Sequence, residues 1–324
     1  MTWKNKRVLV TGAASFIGSH LTEALLKHGA RVCALTQNHP RTFSPWLARM
    51  KRRYETRLTI ETGDVRDPQA MRLAAQKTSV VFHLASLGSL GYCLHSPLEC
   101  FAVNSQGTQN MLLAVKDAPL ERFVLVSTSL VYGSPASFPI REDCPVQPDT
   151  PYAASKIAAE AATMSYHRSY GLPVTILRPF NIYGPRQTAE AVIPSILLQA
   201  LRARAVCLGN LHPVKDFTYV EDAVDGLLSA ATHPAAVGQI FHIASGEALS
   251  IGDLARKILG ILGKQIPIRT LKEKARARHL DPETAAPELL ADTAKIRRVL
   301  GWFPRISLEQ GIKKTCLWQI RQMN

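Results

Sequence analysis

Tyr152 and Lys156 stand four residues apart in the run Pro151-Tyr152-Ala153-Ala154-Ser155-Lys156. On a helix that spacing puts both side chains on one face, one turn apart. An ammonium group beside a phenol favours the phenolate, so the expectation is a tyrosine whose pKa falls toward neutrality. Such a phenol can serve as general base for a sugar or alcohol hydroxyl. Taken alone, such a pair is most often an ordinary solvated helix face. Its company argues for chemistry: a glycine turn upstream, the hydroxyl triplet Ser127-Thr128-Ser129 before it, and Arg178-Pro179-Phe180-Asn181 after it.

The elements that must position these groups follow from the pattern along the chain. Lys6 to Val10 reads as a short buried strand, Thr11-Gly12-Ala13-Ala14-Ser15-Phe16-Ile17-Gly18 as a turn, and Leu21, Ala24 and Leu25 as the apolar face of a helix. Strand, glycine turn and helix make a dinucleotide-binding unit, because backbone N–H groups and the helix N-terminus favour a pyrophosphate. Ser15 occupies the place of a central glycine; it keeps the turn small and can donate its hydroxyl to a phosphate. Arg31 to Leu35 is a second strand, followed by Thr36-Gln37-Asn38-His39 and then Arg41. The acid that usually holds the ribose of NAD is missing there, which leaves NADP open. Leu58 to Glu61 is a third strand. Asp64, just beyond it, either accepts from an adenine amino group or caps the helix after Pro68.

Val80 to Ser86 is a fourth strand ending in small residues, with His83 a core histidine inside it. Leu87 to Ser96 reads as a glycine-containing loop lining a substrate pocket, and Leu98 to Val115 as a helix carrying Asn104. Phe123 to Val126 is the fifth strand. Strands and helices alternating at this spacing predict a parallel sheet with right-handed crossovers. Ligands lie at the carboxyl ends of such strands, where Gly12, Asp64, Ser86 and Thr128 all fall. Further on, Ile193 to Ala203, Leu249 to Leu262, Leu289 to Leu300 and Leu308 to Ile320 read as helical. Lys215 to Val220 and the helix starting at Glu221 are expected to return to the sheet. Lys272 to Pro287 is expected to be a mobile loop closing on substrate.

Composition constrains the class. The 324 residues, 46% hydrophobic and 20% charged, suit a soluble enzyme with a sizeable core. No apolar run approaches the roughly 20 residues of a membrane helix, and no secretory signal is apparent at the basic N-terminus. The six cysteines form no C-x-x-C pair, which predicts free thiols in a reducing cytoplasm and no metal site. The formal charge of +14 gathers at Lys51-Arg52-Arg53, Lys272 to Arg278, Arg297-Arg298 and Lys313-Lys314. These clusters lack interleaved aromatics, so they predict solvated faces attracting an anionic nucleotide rather than a nucleic-acid interface.

Together these motifs resemble the extended short-chain dehydrogenase/reductase family that acts on nucleotide sugars, from Thr11-Gly12 through to Leu300-Gly301-Trp302. The resemblance implies an α/β architecture: a doubly wound parallel-sheet Rossmann fold with a smaller C-terminal α/β substrate domain. Residues 1–178 would bind the dinucleotide, with 214–244 returning to that domain. Residues 179–213 and 245–324 would form the substrate domain. It implies NAD as cofactor, held by Gly12, Ser15, Phe16, Ile17, Gly18, Asp64, Val65, Leu84, Ala85, Ser86, Asn104, Ser127 and Pro179. Lys156 would hold the nicotinamide ribose while Tyr152 moves the proton, and the Thr128 hydroxyl would bond the reacting oxygen. Ser89, Asn181, Val192, Leu208 and Lys215 would line the nucleotide-diphosphate sugar. Lys215 stands where the family often has arginine, a point charge replacing a bidentate contact. A homodimer through Gly107–Val115 and Tyr152–Tyr170 is also implied.

Within the family, Gly184-Pro185-Arg186-Gln187 and Leu208-Gly209-Asn210-Leu211-His212-Pro213 look most like the 4,6-dehydratases of amino-sugar pathways. Those enzymes carry an acid two residues past the catalytic threonine, where this chain has Leu130. Neither Ser129 nor Leu130 can replace a carboxylate base at neutral pH. A 4-epimerase working through a transient 4-keto sugar needs no such acid, and that reaction is the expectation. The alternatives are a dehydratase whose base is Glu142 or Cys144, and a non-catalytic nucleotide- or RNA-binding relative of the fold.

Overall fold

A computed structural model describes residues 2–37, 44–270 and 288–323. The chain begins β1 (Arg7–Thr11), α1 (Phe16–Lys27), β2 (Arg31–Thr36), α2 (Pro45–Arg53), β3 (Leu58–Thr62), α3 (Pro68–Ala74) and β4 (Val80–His83). Helices α4 (Leu90–His95), α5 (Pro97–Phe101) and α6 (Gly107–Val115) follow, the last two joined by a π-helical turn at Ala102–Gln106. Next come β5 (Arg122–Val126), a 3-10 turn at Ser129–Tyr132, the long α7 (Pro151–Tyr170) and β6 (Val174–Pro179). The remainder holds β7 (Asn181–Tyr183), α8 (Val192–Arg202), β8 (Val206–Leu208), β9 (Val214–Tyr219), α9 (Val220–Thr232) and β10 (Gln239–Ile243). It ends with β11 (Ala248–Ser250), α10 (Ile251–Ile261), β12 (Ile268–Thr270), β13 (Glu288–Leu289), α11 (Ala294–Leu300) and α12 (Leu308–Met323).

The central sheet runs β3-β2-β1-β4-β5-β6-β10, all parallel. Its strands are apolar at nearly every position because helices cover both faces. The period of two divides the side chains. Val8, Val10, Phe82 and Val124 join Leu21 and Leu25 of α1 in one core. Leu9, Val81, Phe123 and Leu125 join Met111 and Leu112 of α6 in the other. Phe123 is fully buried, so truncating it to alanine is worth about 3–5 kcal/mol. Strand order reverses between β1 and β4, whose registers pair Thr11 with His83. The crevice beyond those carboxyl ends is where an open α/β sheet takes its ligand.

A second sheet carries β9 between β11 and β13, with β7 also pairing to β9, and β8 pairs with β12. This corrects one expectation. The 215–219 strand does not return to the central sheet; β9 lies in the second sheet and β10 returns instead. The edge of β6 is taken by β10 in parallel register, Ile240 opposite Ile176 and Phe241 opposite Leu177. Three smaller corrections follow from local chemistry. Residues 90–95 form a helix rather than loop, because the Ser89 hydroxyl accepts from Tyr92 N at 3.3 Å and caps it. The 98–115 helix is interrupted by the π-helical turn. The segment from Leu289 is not helical until Ala294. Leu290 and Asp292 bond the Ile140 backbone, and the Asp292 carboxylate accepts from Ala294 N at 2.7 Å. The expected loop at 272–287 lies outside the described residues, as do Asn38, His39 and Arg41.

Candidate active site

Glycine makes the approach of α1 to the sheet possible. Gly12 has φ +68°, and a Cβ there would stand 2.9 Å from Ala85 N. A Cβ on Gly18 would stand 2.2 Å from Gly12 O. Ser15 caps α1, its hydroxyl oxygen accepting from Gly18 N at 3.2 Å. Its own proton stays available to an anion, and the turn's remaining N–H groups on Phe16 and Ile17 have no carbonyl within the helix. These features fit a dinucleotide: a close backbone approach, an anion-favouring helix end and a switch-point crevice. At the end of β3, Asp64 accepts from Gln37 Nε2 at 3.0 Å and from Arg66 N at 2.9 Å. Hydrogen bonding from the Arg66 side chain holds its carboxyl below the usual range. It does not cap the following helix; Asp67 does, accepting from Gln69 N at 2.8 Å. Val65, next to Asp64, packs inside the second core.

His83 is fully enclosed, between Thr11 Oγ1 at 2.9 Å and Thr108 Oγ1 at 3.2 Å. Burial pushes it down to about 3, with Lys156 adding to the effect, so it is a neutral core residue as expected.

Helix α7 starts where Thr150 accepts from Ala153 N at 3.2 Å with Pro151 in the first turn, and it stops at Gly171, φ +70°. This places Lys156 inside the protein, 2% exposed, donating to Val126 O at 2.7 Å. Burial pushes it down to about 8. Tyr152 is half-buried, and its pKa overturns the sequence expectation. Burial pushes the phenol up to about 12, opposed by hydrogen bonds from Ser86 and then Thr128. Desolvation penalises the phenolate more than nearby dipoles favour it, and the Lys156 ammonium is directed at a carbonyl of β5.

Beside the phenol, Thr128 Oγ1 accepts from Leu130 N at 3.2 Å, which leaves its proton free to donate. Ser127 Oγ is buried without a partner among the described residues, a polar atom at the crevice that a bound group would satisfy. Asn104 sits in the π-helical turn. Its Oδ1 accepts from Leu87 N at 2.8 Å and from Ser86 Oγ at 3.0 Å. Its Nδ2 donates to Ser155 Oγ at 2.9 Å. Thus Ser86, Asn104, Thr128, Tyr152 and Lys156 converge, with Leu84 and Ala85 leading from Gly12. In the second sheet Asn181 donates to Asp216 O at 3.0 Å, and burial pushes Lys215 on the adjoining strand down to about 8. Pro179 ends β6, Val192 begins α8 and Leu208 ends β8. Ser89 caps α4, and among the described residues no hydrogen bond joins it to the phenol.

Two sets of residues escaped the sequence reading. Ser155 links Asn104 to the Tyr152 carbonyl at 2.7 Å; its position three residues along the helix was the available signal. Behind the site, Arg178 bonds Glu160 at 2.6 and 3.0 Å and donates to Tyr132 OH at 2.7 Å. Burial alone would lower the Arg178 pKa, but the Glu160 carboxylate raises it instead. Tyr132 in turn meets His242 Nε2 at 2.6 Å, and Glu142 accepts from His242 N at 3.1 Å. These contacts lock α7, β6 and the turn after Thr128 together. In front, Arg186 pairs with Glu23 and lies 4.9 Å above the Trp46 ring, tying the 184–187 loop to α1 and α2.

Comparison with known proteins agrees with this geometry. Residues 9–315 match the model of the GDP-mannose 4,6 dehydratase family. The chain is 33% identical to the UDP-glucose 4-epimerase of Mycolicibacterium smegmatis, over 95% of this chain and 97% of that one. It is 31% identical to the human dTDP-D-glucose 4,6-dehydratase, over 97% and 89%. The solved UDP-glucuronic acid 4-epimerase of Bacillus cereus, in complex with UDP-glucuronic acid and NAD, superposes with a TM-score of 0.86 at 28% identity, covering 98% of this chain and 100% of that one. The chain belongs to the nucleotide-sugar epimerase and dehydratase family of extended short-chain dehydrogenases/reductases.

Proposed function

We propose that this chain is an NAD-dependent nucleotide-sugar 4-epimerase. The carrying observation is the gathering of Thr128, Tyr152 and Lys156 at one crevice, with the apolar Leu130 where a dehydratase has its acid. Glu142, the alternative carboxylate, is engaged by the backbone of His242, and Cys144 Sγ by the backbone of Arg141.

In this reading the Thr128 hydroxyl, whose oxygen accepts from Leu130 N, uses its proton to orient the sugar's C-4 oxygen. Tyr152 removes that hydroxyl's proton and later returns it to the 4-keto oxygen once the sugar has turned over. Lys156 supplies positive charge at the β5 edge and a donor for a ribose hydroxyl. NAD, when bound, would accept the hydride from C-4, return it to the other face of the ketone, and add a positive charge that favours the phenolate. Lys215 and Asn181, on neighbouring strands of the second sheet, are suited to the substrate diphosphate. The segments 179–213 and 245–324 thereby serve the sugar nucleotide and residues 1–178 the cofactor. The Leu113 side chain, 52% exposed on α6, and the apolar groove of Ile157, Ala161 and Met164 on α7 support pairing of two copies through these helices. A reducing cytoplasm suits six free thiols.

Incubating the protein with UDP-, GDP- and dTDP-sugars tests the reading. A C-4 stereoisomer of the input is expected. A 4-keto-6-deoxy product would establish a dehydratase, and tight RNA binding without turnover would establish a non-catalytic relative. Mass spectrometry of molecules released on denaturation distinguishes NAD from NADP.

A further inference from the structure

We propose that the Ser86 hydroxyl is a hydrogen-bond partner of the Tyr152 phenol, held there by Asn104, and that it stabilises the phenolate while Thr128 serves the substrate oxygen. The proposal rests on Tyr152 being the base. Its ground is a chain of hydrogen bonds that leaves Tyr152 through its backbone and ends at the Ser86 hydroxyl, one of the two hydroxyls that act on the phenol. The Tyr152 carbonyl accepts from Ser155 Oγ at 2.7 Å. Ser155 Oγ accepts from Asn104 Nδ2 at 2.9 Å. Asn104 Oδ1 accepts from Ser86 Oγ at 3.0 Å, and the Ser86 hydroxyl opposes the rise that burial imposes on the phenol.

The orientation of Asn104 is fixed independently. Leu87 N donates to Oδ1 at 2.8 Å and Leu87 O accepts from Nδ2 at 3.2 Å, so the amide cannot turn over without two like-with-like contacts. The π-helical turn gives Asn104 its reach, since the extra residue per turn moves that side chain off the regular helix face. The two hydroxyls beside the phenol therefore differ. The oxygen of Thr128 accepts from Leu130 N, and its proton is left free to donate. The proton of Ser86 rests on Asn104 while the phenol is neutral, so the phenol donates to Ser86. When the phenol ionises, the Ser86 hydroxyl rotates and donates to it. Ser86 holds the base in place before reaction and stabilises its charge during it, leaving Thr128 to the substrate oxygen.

Two measurements test this. Tyrosines are labelled with carbon-13 at Cζ, and the Tyr152 resonance is assigned by its loss in Tyr152→Phe. In Ser86→Ala at neutral pH that resonance is expected to move, and in Ser86→Thr to return toward wild type. In steady-state kinetics Ser86→Ala is expected to lower kcat about tenfold with KM little changed, the effect of one lost hydrogen bond to a charged group. The acidic limb of kcat/KM is expected to move up by about one pH unit, because an unsupported phenolate binds its proton more tightly. Ser86→Thr should recover both. An unmoved Tyr152 resonance or an unmoved limb in Ser86→Ala overturns the proposal. If Tyr152→Phe keeps full turnover, the functional reading fails instead, while the resonance still decides the contact.

Discussion

Lys156 is held at a cost to the fold, and that cost can be measured. The residue is 2% exposed, and among the described residues its ammonium donates to one carbonyl, Val126 O. Burial lowers it from an ordinary 10.5 to about 8 in the folded protein. The unfolded chain therefore binds more protons than the folded chain between about pH 8 and 10.5, and stability rises with pH across that window. Below pH 8 the full penalty applies. A shift of this size corresponds to about 3 kcal/mol at 1.36 kcal/mol per unit. Lys156→Met keeps the aliphatic stem and removes the charge. It forfeits the hydrogen bond to Val126 O, worth about 1 kcal/mol. The variant should thus be more stable than wild type by about 2 kcal/mol at pH 7, while losing turnover. Urea unfolding of both proteins without added ligand, at pH 7 and pH 10, gives the comparison. The advantage of the variant should shrink as pH rises through the window. A variant less stable than wild type at pH 7, or an advantage independent of pH, would refute the assignment of Lys156 as a desolvated cation tolerated for function.

Gly18→Ala places a methyl 2.2 Å from Gly12 O, so it should destabilise by about 1–3 kcal/mol and weaken NAD binding, read by thermal shift with and without NAD. Arg178→Met leaves the Glu160 carboxylate, 7% exposed, without its partner. A loss of about 3–5 kcal/mol is expected in denaturant titration, and Glu160→Gln in the same chain should recover part of it. Lys215 sits near 8, so its charge fades as pH rises through that value. KM for a nucleotide sugar should climb above pH 8 in wild type and stay flat in Lys215→Arg, whose guanidinium keeps its proton.

The sheet was legible because its strands are short apolar runs with punctuated ends, and because the ligand-facing positions fall at those ends by simple alternation. Gly12, Asp64, Ser86 and Thr128 could be assigned to one crevice for that reason. What escaped was contact between distant segments. The return of β10 rather than β9 to the central sheet depends on which strand fits the free edge of β6, and both stretches are apolar enough to compete. The interruption at Ala102–Gln106 leaves no mark in the periodicity, since its residues suit an ordinary helix. The Arg178–Glu160–Tyr132–His242 lattice joins four segments far apart in the chain, each unremarkable in isolation.

The phenol shows most clearly where local reasoning stops. From spacing alone, Lys156 one helical turn away should have lowered its pKa. In the folded protein the same helix carries Tyr152 into a desolvated site, and burial outweighs the dipoles around it, raising the value to about 12. A base so placed is nearly inert until positive charge arrives beside it. That is a safeguard for an enzyme forming a ketone, because proton abstraction then awaits the group that accepts the hydride. It follows that the pH at which Tyr152 ionises should fall by several units on saturation with NAD, and by less with the uncharged reduced ring. Following the Tyr152 carbon-13 resonance against pH in the two cofactor-saturated forms decides this. Equal midpoints in the oxidised and reduced complexes would mean that burial and cofactor charge act independently, and that the phenol is poised by other means.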